Sequence, residues 1–210
     1  MKITYLGHAS FLLETDGDTR IVTDPYAQSI LPHLVAEADV VTMSHEHHDH
    51  CDLSQVKGAY VTVNTTQART VRDVKITCAP CFHDEVQGKK RGINRAYIFE
   101  ADGKKIVHLG DLGEAPTPAL TSACGSADVL LIPVGGTFTL TGPQAAEAIR
   151  ALGPKLAVPM HYRCPGHSFE VISTEEPFLK ALDPDLPIHR LTALQEPFPT
   201  GVAILAPAKP

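Results

Sequence analysis

Four histidines and one aspartate fall within six residues, His45-Glu46-His47-His48-Asp49-His50, directly after the apolar run Val40-Val41-Thr42-Met43. A short, β-branched apolar run of this kind reads as a buried strand. The loop that follows must leave the sheet at the strand's end, because imidazoles and carboxylates are costly to bury unless something binds them. Residues two apart in an extended loop can point the same way, so His45 and His47 can reach one metal ion. Asp49 and His50 are offset and can address a second. A solvated histidine-rich turn is the competing reading. It loses to the metal because the same ligand types recur after strand ends downstream, at His83, Asp111 and His161.

The rest of the chain supplies strands to carry such loops. Lys2 to Thr15, the turn Asp16-Gly17-Asp18 and Arg20 to Thr23 read as a hairpin, stopped by Asp24-Pro25. Tyr60–Val63 and Lys75–Cys78 look like further strands, with a short helix over Gln67–Val71 between them. Ala96–Glu100 and Lys105–Leu109 flank Asp102-Gly103 as a second hairpin, and Val129–Pro133 is another buried strand. Thr141-Gly142-Pro143 opens a helix with Thr141 as its N-cap, and Gly153-Pro154 stops it. Ala157–Met160 runs as a strand into His161, and a late helix covers Glu175 to Leu182. Candidate ligands sit repeatedly just past strand ends, where α/β layered enzymes place their chemistry. With no repeat or linker dividing the 210 residues, residues 1–210 are expected to form a single α/β domain.

Composition narrows the partners. A formal net charge of −6 argues against a general nucleic-acid binder, although a small anion needs only local positive charge, which metals supply. The expected partner is a small molecule, anionic ones included, with neither nucleic acid nor membrane. Met1–Leu6 is too short an apolar run for a secretory signal, so a cytoplasmic location is the default expectation. The five cysteines (Cys51, Cys78, Cys81, Cys124 and Cys164) do not make a dense disulfide framework, and Cys78-x-x-Cys81 lacks the second pair that structural zinc would require.

His45-x-His47-x-Asp49-His50 matches the signature loop of the metallo-β-lactamase-fold hydrolases, and the chain resembles that family over nearly its whole length. Leu6-Gly7-His8-Ala9-Ser10-Phe11 resembles the opening strand of its ascorbate-6-phosphate-lactonase-like branch. Thr23-Asp24-Pro25 resembles the acidic residue behind the metal loop, His108-Leu109-Gly110-Asp111 the bridging-aspartate segment, and Pro159-Met160-His161-Tyr162 the final metal histidine. The resemblance implies a four-layer αββα sandwich with two divalent metals at one sheet edge. His45, His47 and His83 would hold the first metal, and Asp49, His50 and His161 the second, with Asp111 bridging. Zinc is the first expectation, and manganese or iron also suits the donor set.

The implied chemistry is hydrolysis of a small ester-type bond, a phosphodiester or a lactone, by a hydroxide shared between the metals. Asp49 would orient it or accept its proton. His8 would reach the pocket as a proton donor or oxyanion contact, with a buried structural histidine as the other reading. Asp24 would hold a ligand histidine's far ring nitrogen, or cap a turn. His48 is expected to face away and His108 to belong to a strand. Asn94, Arg95, Tyr162 and Arg163 are candidates for binding an anionic substrate. Related di-iron oxidoreductases carry glutamate where this chain has His47, so residue 47 tilts the centre toward hydrolysis. A non-hydrolytic di-iron redox or oxygen-binding protein of the same fold is the alternative.

Overall fold

Along the first strands, alternate residues go to opposite faces, and both faces are apolar. Tyr5, Phe11, Leu13, Ile21 and Val40 join one buried cluster, while Leu6, Leu12, Val22 and Val41 pack in a second. A period of two is what a pleated strand imposes, and it requires this sheet to be covered on both sides. A one-residue slip would exchange the two sets, so the register is strongly specified.

A computed structural model describes residues 1–32, 35–167 and 169–208. The first strands are β1 (Lys2–Gly7), β2 (Ser10–Glu14), β3 (Arg20–Thr23), β4 (Ala36–Glu37), β5 (Val40–Thr42), β6 (Val56–Lys57) and β7 (Val61–Val63). Next come β8 (Arg69–Val71), β9 (Val74–Phe82), β10 (Ile93–Ala101), β11 (Lys104–His108), helix α1 (Pro118–Cys124) and β12 (Val129–Pro133). Then follow α2 (Gly142–Leu152), β13 (Leu156–Met160), α3 (Glu176–Ala181), β14 (Ile188–Leu191), β15 (Leu194–Gln195) and β16 (Gly201–Leu205). One six-stranded sheet has the order β15-β1-β2-β3-β5-β7, and an eight-stranded sheet the order β14-β16-β13-β12-β11-β10-β9-β8. Strands β5, β12 and β13 are buried at every residue, as parallel strands inside layered folds are.

The main core lies between the sheets, where Tyr5, Phe11 and Ile21 share a cluster with Ile76, Phe99, Ile106, Leu130 and Val158. Burying each large side chain contributes roughly 1.5–3 kcal/mol. Helix α1 packs on β9, and α1, α2 and α3 pack in sequence beside it. This is the expected α/β sandwich. On the far face of the six-stranded sheet, the covering residues (Ala36, Ala38, Cys51, Leu53, Val56 and Tyr60) come from the β4–β6 ribbon and its loops. Among the described residues no helix forms that layer.

Three local expectations need correction. Lys2–Thr15 is two strands, because Gly7 (φ +116°) and His8 (φ +54°) turn the chain between β1 and β2. Gln67–Val71 holds a strand, with Arg69–Val71 paired to β9 across a turn at Arg72, φ +51°. Helix α1 has no periodic signal in the sequence: it is seven residues, about two turns, marked only by the Thr117 cap and Pro118. The α2 expectation holds in detail. Thr141 and Gln144 form a capping box, and Gly153 ends the helix in the left-handed conformation.

Candidate metal centre

Every residue of the candidate centre follows a strand end. His8 lies in the β1–β2 turn, Asp24 after β3, His45 to His50 after β5, His83 after β9, Asp111 after β11 and His161 after β13. The structure brings together all seven expected ligands. Ligand atoms of His45, His47 and His83 all lie within 4.8 Å of one another, and so do those of Asp49, His50, His161 and His8. Asp111 Oδ2 sits between the two groups, 3.3 Å from His83 Nε2 and 3.8 Å from His45 Nε2 on one side. On the other it is 3.2 Å from both His50 Nε2 and His161 Nε2.

The donor set fits divalent metals on a direct observation. His45 Nε2, His50 Nε2, His161 Nε2 and Asp111 Oδ1 are buried and make no hydrogen bond. Buried polar atoms without partners are uncommon and cost free energy. Several converging on one point identify the missing partner as a cation that takes lone pairs. Imidazole and carboxylate are suitable donors for zinc, manganese or iron.

Neighbouring residues fix which ring nitrogen is free. Asp24 is fully buried; its carboxylate accepts from Ser44 N (2.7 Å), Ser44 Oγ (2.5 Å) and His50 Nδ1 (2.9 Å). Ser44 Oγ, having spent its proton on Asp24, accepts from His45 Nδ1 at 2.9 Å. Both histidines therefore turn Nε2 toward Asp111. Such outer partners orient metal ligands and raise their basicity. The Asp24 role expected from the sequence is the one seen.

A second chain of bonds runs behind Asp49. The Phe169 N–H donates to His167 Nδ1 (3.0 Å), which leaves His167 Nε2 to donate to His8 Nδ1 (2.9 Å). His8 Nε2 in turn donates to Asp49 Oδ2 at 3.2 Å. The backbone amide thus sets the tautomers of both rings. His8 is wholly buried, and its Nε2 proton is committed to Asp49. His167 was not singled out in the sequence; the only signal was a histidine six residues after His161.

The electrostatics follow from burial and crowding. Burial pushes the His45 imidazole down to about 3, with the His50 charge adding to it. Burial and the neighbouring His161 hold His8 well below the ordinary histidine range. For His50 burial works against the charge, but Asp111 and Asp24 outweigh it and raise it well above the usual value. Burial likewise opposes the Asp111 and Asp49 carboxylates. His161 and His50 overcome it at Asp111, and His8 and His50 at Asp49, so both sit below the carboxylate range. Neutral imidazoles and ionised carboxylates are the forms that bind metal.

The backbone is shaped to this purpose. His8, Asp24 and His161 hold left-handed φ values of 54°, 39° and 53°. Such residues cost roughly 1–3 kcal/mol each and persist where the surroundings enforce them. Here the His161 N–H donates to His8 O at 2.7 Å, locking two of the three together. Gly110, at φ +53°, has no room for a Cβ against Asn94 and Ser44, so the chain can carry Asp111 off β11 only with glycine there.

A cavity of about 270 Å³ opens over the ligands, bordered by His47, His48, Asp49, His83, Arg91, Asp111, Phe138 and Phe169. His48 belongs to no ligand group, as expected, yet it borders this cavity. His108 ties β11 to the β1–β2 turn, its Nε2 donating to Ala9 O at 2.7 Å. Of the four proposed anion contacts, three are placed elsewhere. Asn94 is buried, accepting from Asp111 N (2.9 Å) and donating to Leu109 O (2.8 Å). Tyr162 and Arg163 line a groove that includes none of the ligands. Arg95 borders a hollow beside His45 and His47, together with Arg91. Cys78 and Cys81 are free thiols, with Cys81 Sγ accepting from Asn94 Nδ2 at 3.1 Å.

Arg91 is presented by a loop that Asp84 organises. The Asp84 carboxylate accepts from the amides of Val86 (2.9 Å), Gly88 (2.8 Å), Lys90 (2.9 Å) and Arg91 (2.7 Å). Burial pushes its carboxyl up, but these four bonds together outweigh it and hold the group down at about 2. Asp84→Ala is expected to speed hydrogen exchange of the 86–91 amides by an order of magnitude or more, consistent with a loop whose opening costs roughly 1–3 kcal/mol less. Metal content should stay at the wild-type level; unchanged exchange would mean the loop is held by other contacts.

Residues 2–161 match the sequence pattern of the β-lactamase superfamily domain, and the chain belongs to that family. A protein of Pelotomaculum thermopropionicum named as a metal-dependent hydrolase is 33% identical, over 77% of this chain and 84% of the relative. One of Archaeoglobus fulgidus with the same name is 29% identical, over 87% of this chain and 90% of the relative. A solved structure from Thermotoga maritima, described as a candidate zinc-dependent hydrolase of the metallo-β-lactamase superfamily, is similar with TM-score 0.80. It is 38% identical and covers 97% of each chain.

Proposed function

We propose that this protein is a metal-dependent hydrolase with a dinuclear centre that cleaves a small ester-type bond, a lactone or a phosphodiester. The observation that carries the reading is Asp111, whose Oδ2 lies 3.2–3.8 Å from a nitrogen of four histidines drawn from both ligand groups. Two ions held there would polarise the scissile group and supply an activated water at neutral pH. His45, His47 and His83 would hold one ion, and Asp49, His50 and His161 the other, zinc being the first choice. Asp49 borders the cavity as an ionised carboxylate and is placed to orient the attacking water or take its proton. His8 acts through Asp49, fixing the direction of that carboxylate. The relatives' printed names support hydrolysis, and the resemblance of Leu6–Phe11 to the lactonase-like branch favours a compact substrate.

The test is a panel of lactones, phosphodiesters and phosphomonoesters, with protein loaded with zinc or with manganese and its metal counted. Cleavage of one class at two metals per chain is expected. Redox-active iron in the isolated protein, with no ester cleaved, would overturn the reading in favour of a di-iron redox protein.

A further inference from the structure

The lining of the cavity over the ligands includes a cation that the proposed hydrolysis does not use. Arg91 lines it, and also lines the adjoining hollow with Arg95. Its guanidinium lies 5.5 Å from the centre of the Phe138 ring and donates to Thr137 O at 3.1 Å. Among the described residues it has no ion pair: Glu85 pairs with Lys90 and Asp84 holds loop amides, and Glu46, which borders the adjoining hollow, makes no ion pair with it. A guanidinium carries five N–H donors in a planar fork, and one bond to a carbonyl leaves most of them open. Stacking on an aromatic face holds such a group without neutralising it.

From this we infer that Arg91 selects substrates carrying an anionic group, a carboxylate or a phosphate, at the end remote from the bond cleaved. The inference rests on the hydrolase reading for the bond and on Arg91 alone for the anion. The body of the substrate is fixed by the rest of the cavity. Phe138 and Phe169, with ring centroids 6.2 Å apart, make one wall apolar. A volume of about 270 Å³ falls below the roughly 300–1,000 Å³ typical of sites for drug-sized ligands. The fitting molecule is therefore a single ring or its equivalent in length, apolar in the middle. One end is presented to the ligand cluster and the other, anionic, to Arg91. A fork of this shape favours planar or tetrahedral oxyanions over a neutral hydroxyl.

Paired probes separate the two ends. Benzoate offers one carboxylate, which goes to the metals; terephthalate offers a second for Arg91, and 4-phosphonobenzoate offers a phosphonate in its place. Calorimetric titration of the zinc-loaded protein should show terephthalate or 4-phosphonobenzoate bound roughly ten- to a hundred-fold more tightly than benzoate. The better of the two identifies the anion. Arg91→Ala should remove that preference and Arg91→Lys should keep part of it. Arg91 is half-buried on a loop, so neither change threatens the fold. Equal affinity for all three probes in the wild type, or a preference that survives Arg91→Ala, overturns the inference. A preference that behaves as expected in a protein that cleaves no ester would instead leave the anion site standing and reject the hydrolase.

Discussion

Asp111→Asn should bind about one metal per chain and lose far more activity than the roughly 10–100-fold expected when a residue behind a ligand is changed. The size of the effect follows from where the carboxylate sits. Asp111 is buried to 2% exposure, and its Oδ2 approaches histidine nitrogens of both groups. An amide of the same shape keeps one acceptor oxygen but loses the charge, and it turns an NH₂ group toward nitrogens that must present lone pairs. One ion can still be held by three ligands of its own group, whereas the arrangement of two ions around one oxygen cannot survive. Metal analysis beside the turnover rate decides it. Two bound metals with normal activity would show that the carboxylate does not bridge.

Asp24→Asn is the contrasting case. Its amide has one acceptor oxygen, so it keeps the bond from Ser44 N or the one from His50 Nδ1 but not both, and it offers no charge to His50; its effect belongs in the roughly 10–100-fold range. If both variants lost activity equally and metal equally, the distinction between a bridging and a supporting carboxylate would disappear.

How much of this was readable from the residues alone depends on the distance over which each signal acts. The histidine loop is local, and its alternation of His45 and His47 projects directly into one ligand group. Thr141 and Gln144 form a cap from four consecutive positions, so the start of α2 was readable too. His161 stands out as a polar residue after a fully apolar strand, β13 being buried throughout. Asp111 instead follows β11, which opens on two lysines and is buried only over its last three residues, and it is legible through the resemblance of His108–Asp111 to the family's bridging-aspartate segment. Three of the four anion contacts are placed elsewhere for the opposite reason. Arg91 and Arg95 look alike in sequence, but the Asp84 loop turns the first over the cavity, while β10 directs the second toward the Ser44 carbonyl at 3.2 Å. Asn94 looks like a substrate contact until the fold wraps it around Asp111 N. Phe138 and Phe169 lie 31 positions apart and meet only through the packing of the loops after β12 and β13. The His167–His8–Asp49 chain spans 159 positions and has no local mark at all.

Stripping bound metal with a chelator should destabilise this protein and make it sensitive to mild acid. A site held at a thousand times its Kd contributes about 4 kcal/mol through mass action. For a chain of this size that corresponds to a fall in Tm of roughly 8–16 °C per site lost. What is left behind is a buried cluster of ionised Asp24, Asp49 and Asp111 around His50, whose proton affinity is raised. His8, His45, His47, His108 and His167 are all held below the ordinary value, His45 at about 3 and His167 at about 4, with burial as the leading cause in each. The sign follows from counting protons. Below about pH 6.5 the unfolded chain takes up protons at these five positions and the folded chain does not, so stability falls as pH falls from 6.5 toward 3. His50 works the other way: its contribution is complete below pH 6.5 and is lost as pH rises through its raised value. The carboxylates contribute above about pH 4 and begin to lose their share only below it. Below about pH 6.5 the His50 contribution is constant and the five lowered histidines alone act, so the metal-free protein should lose stability from pH 6.5 downward, well before its carboxylates titrate. Melting curves of chelated and zinc-restored protein between pH 5 and pH 8 would show it. A Tm that neither falls on chelation nor recovers with zinc would mean that these converging side chains hold no ion.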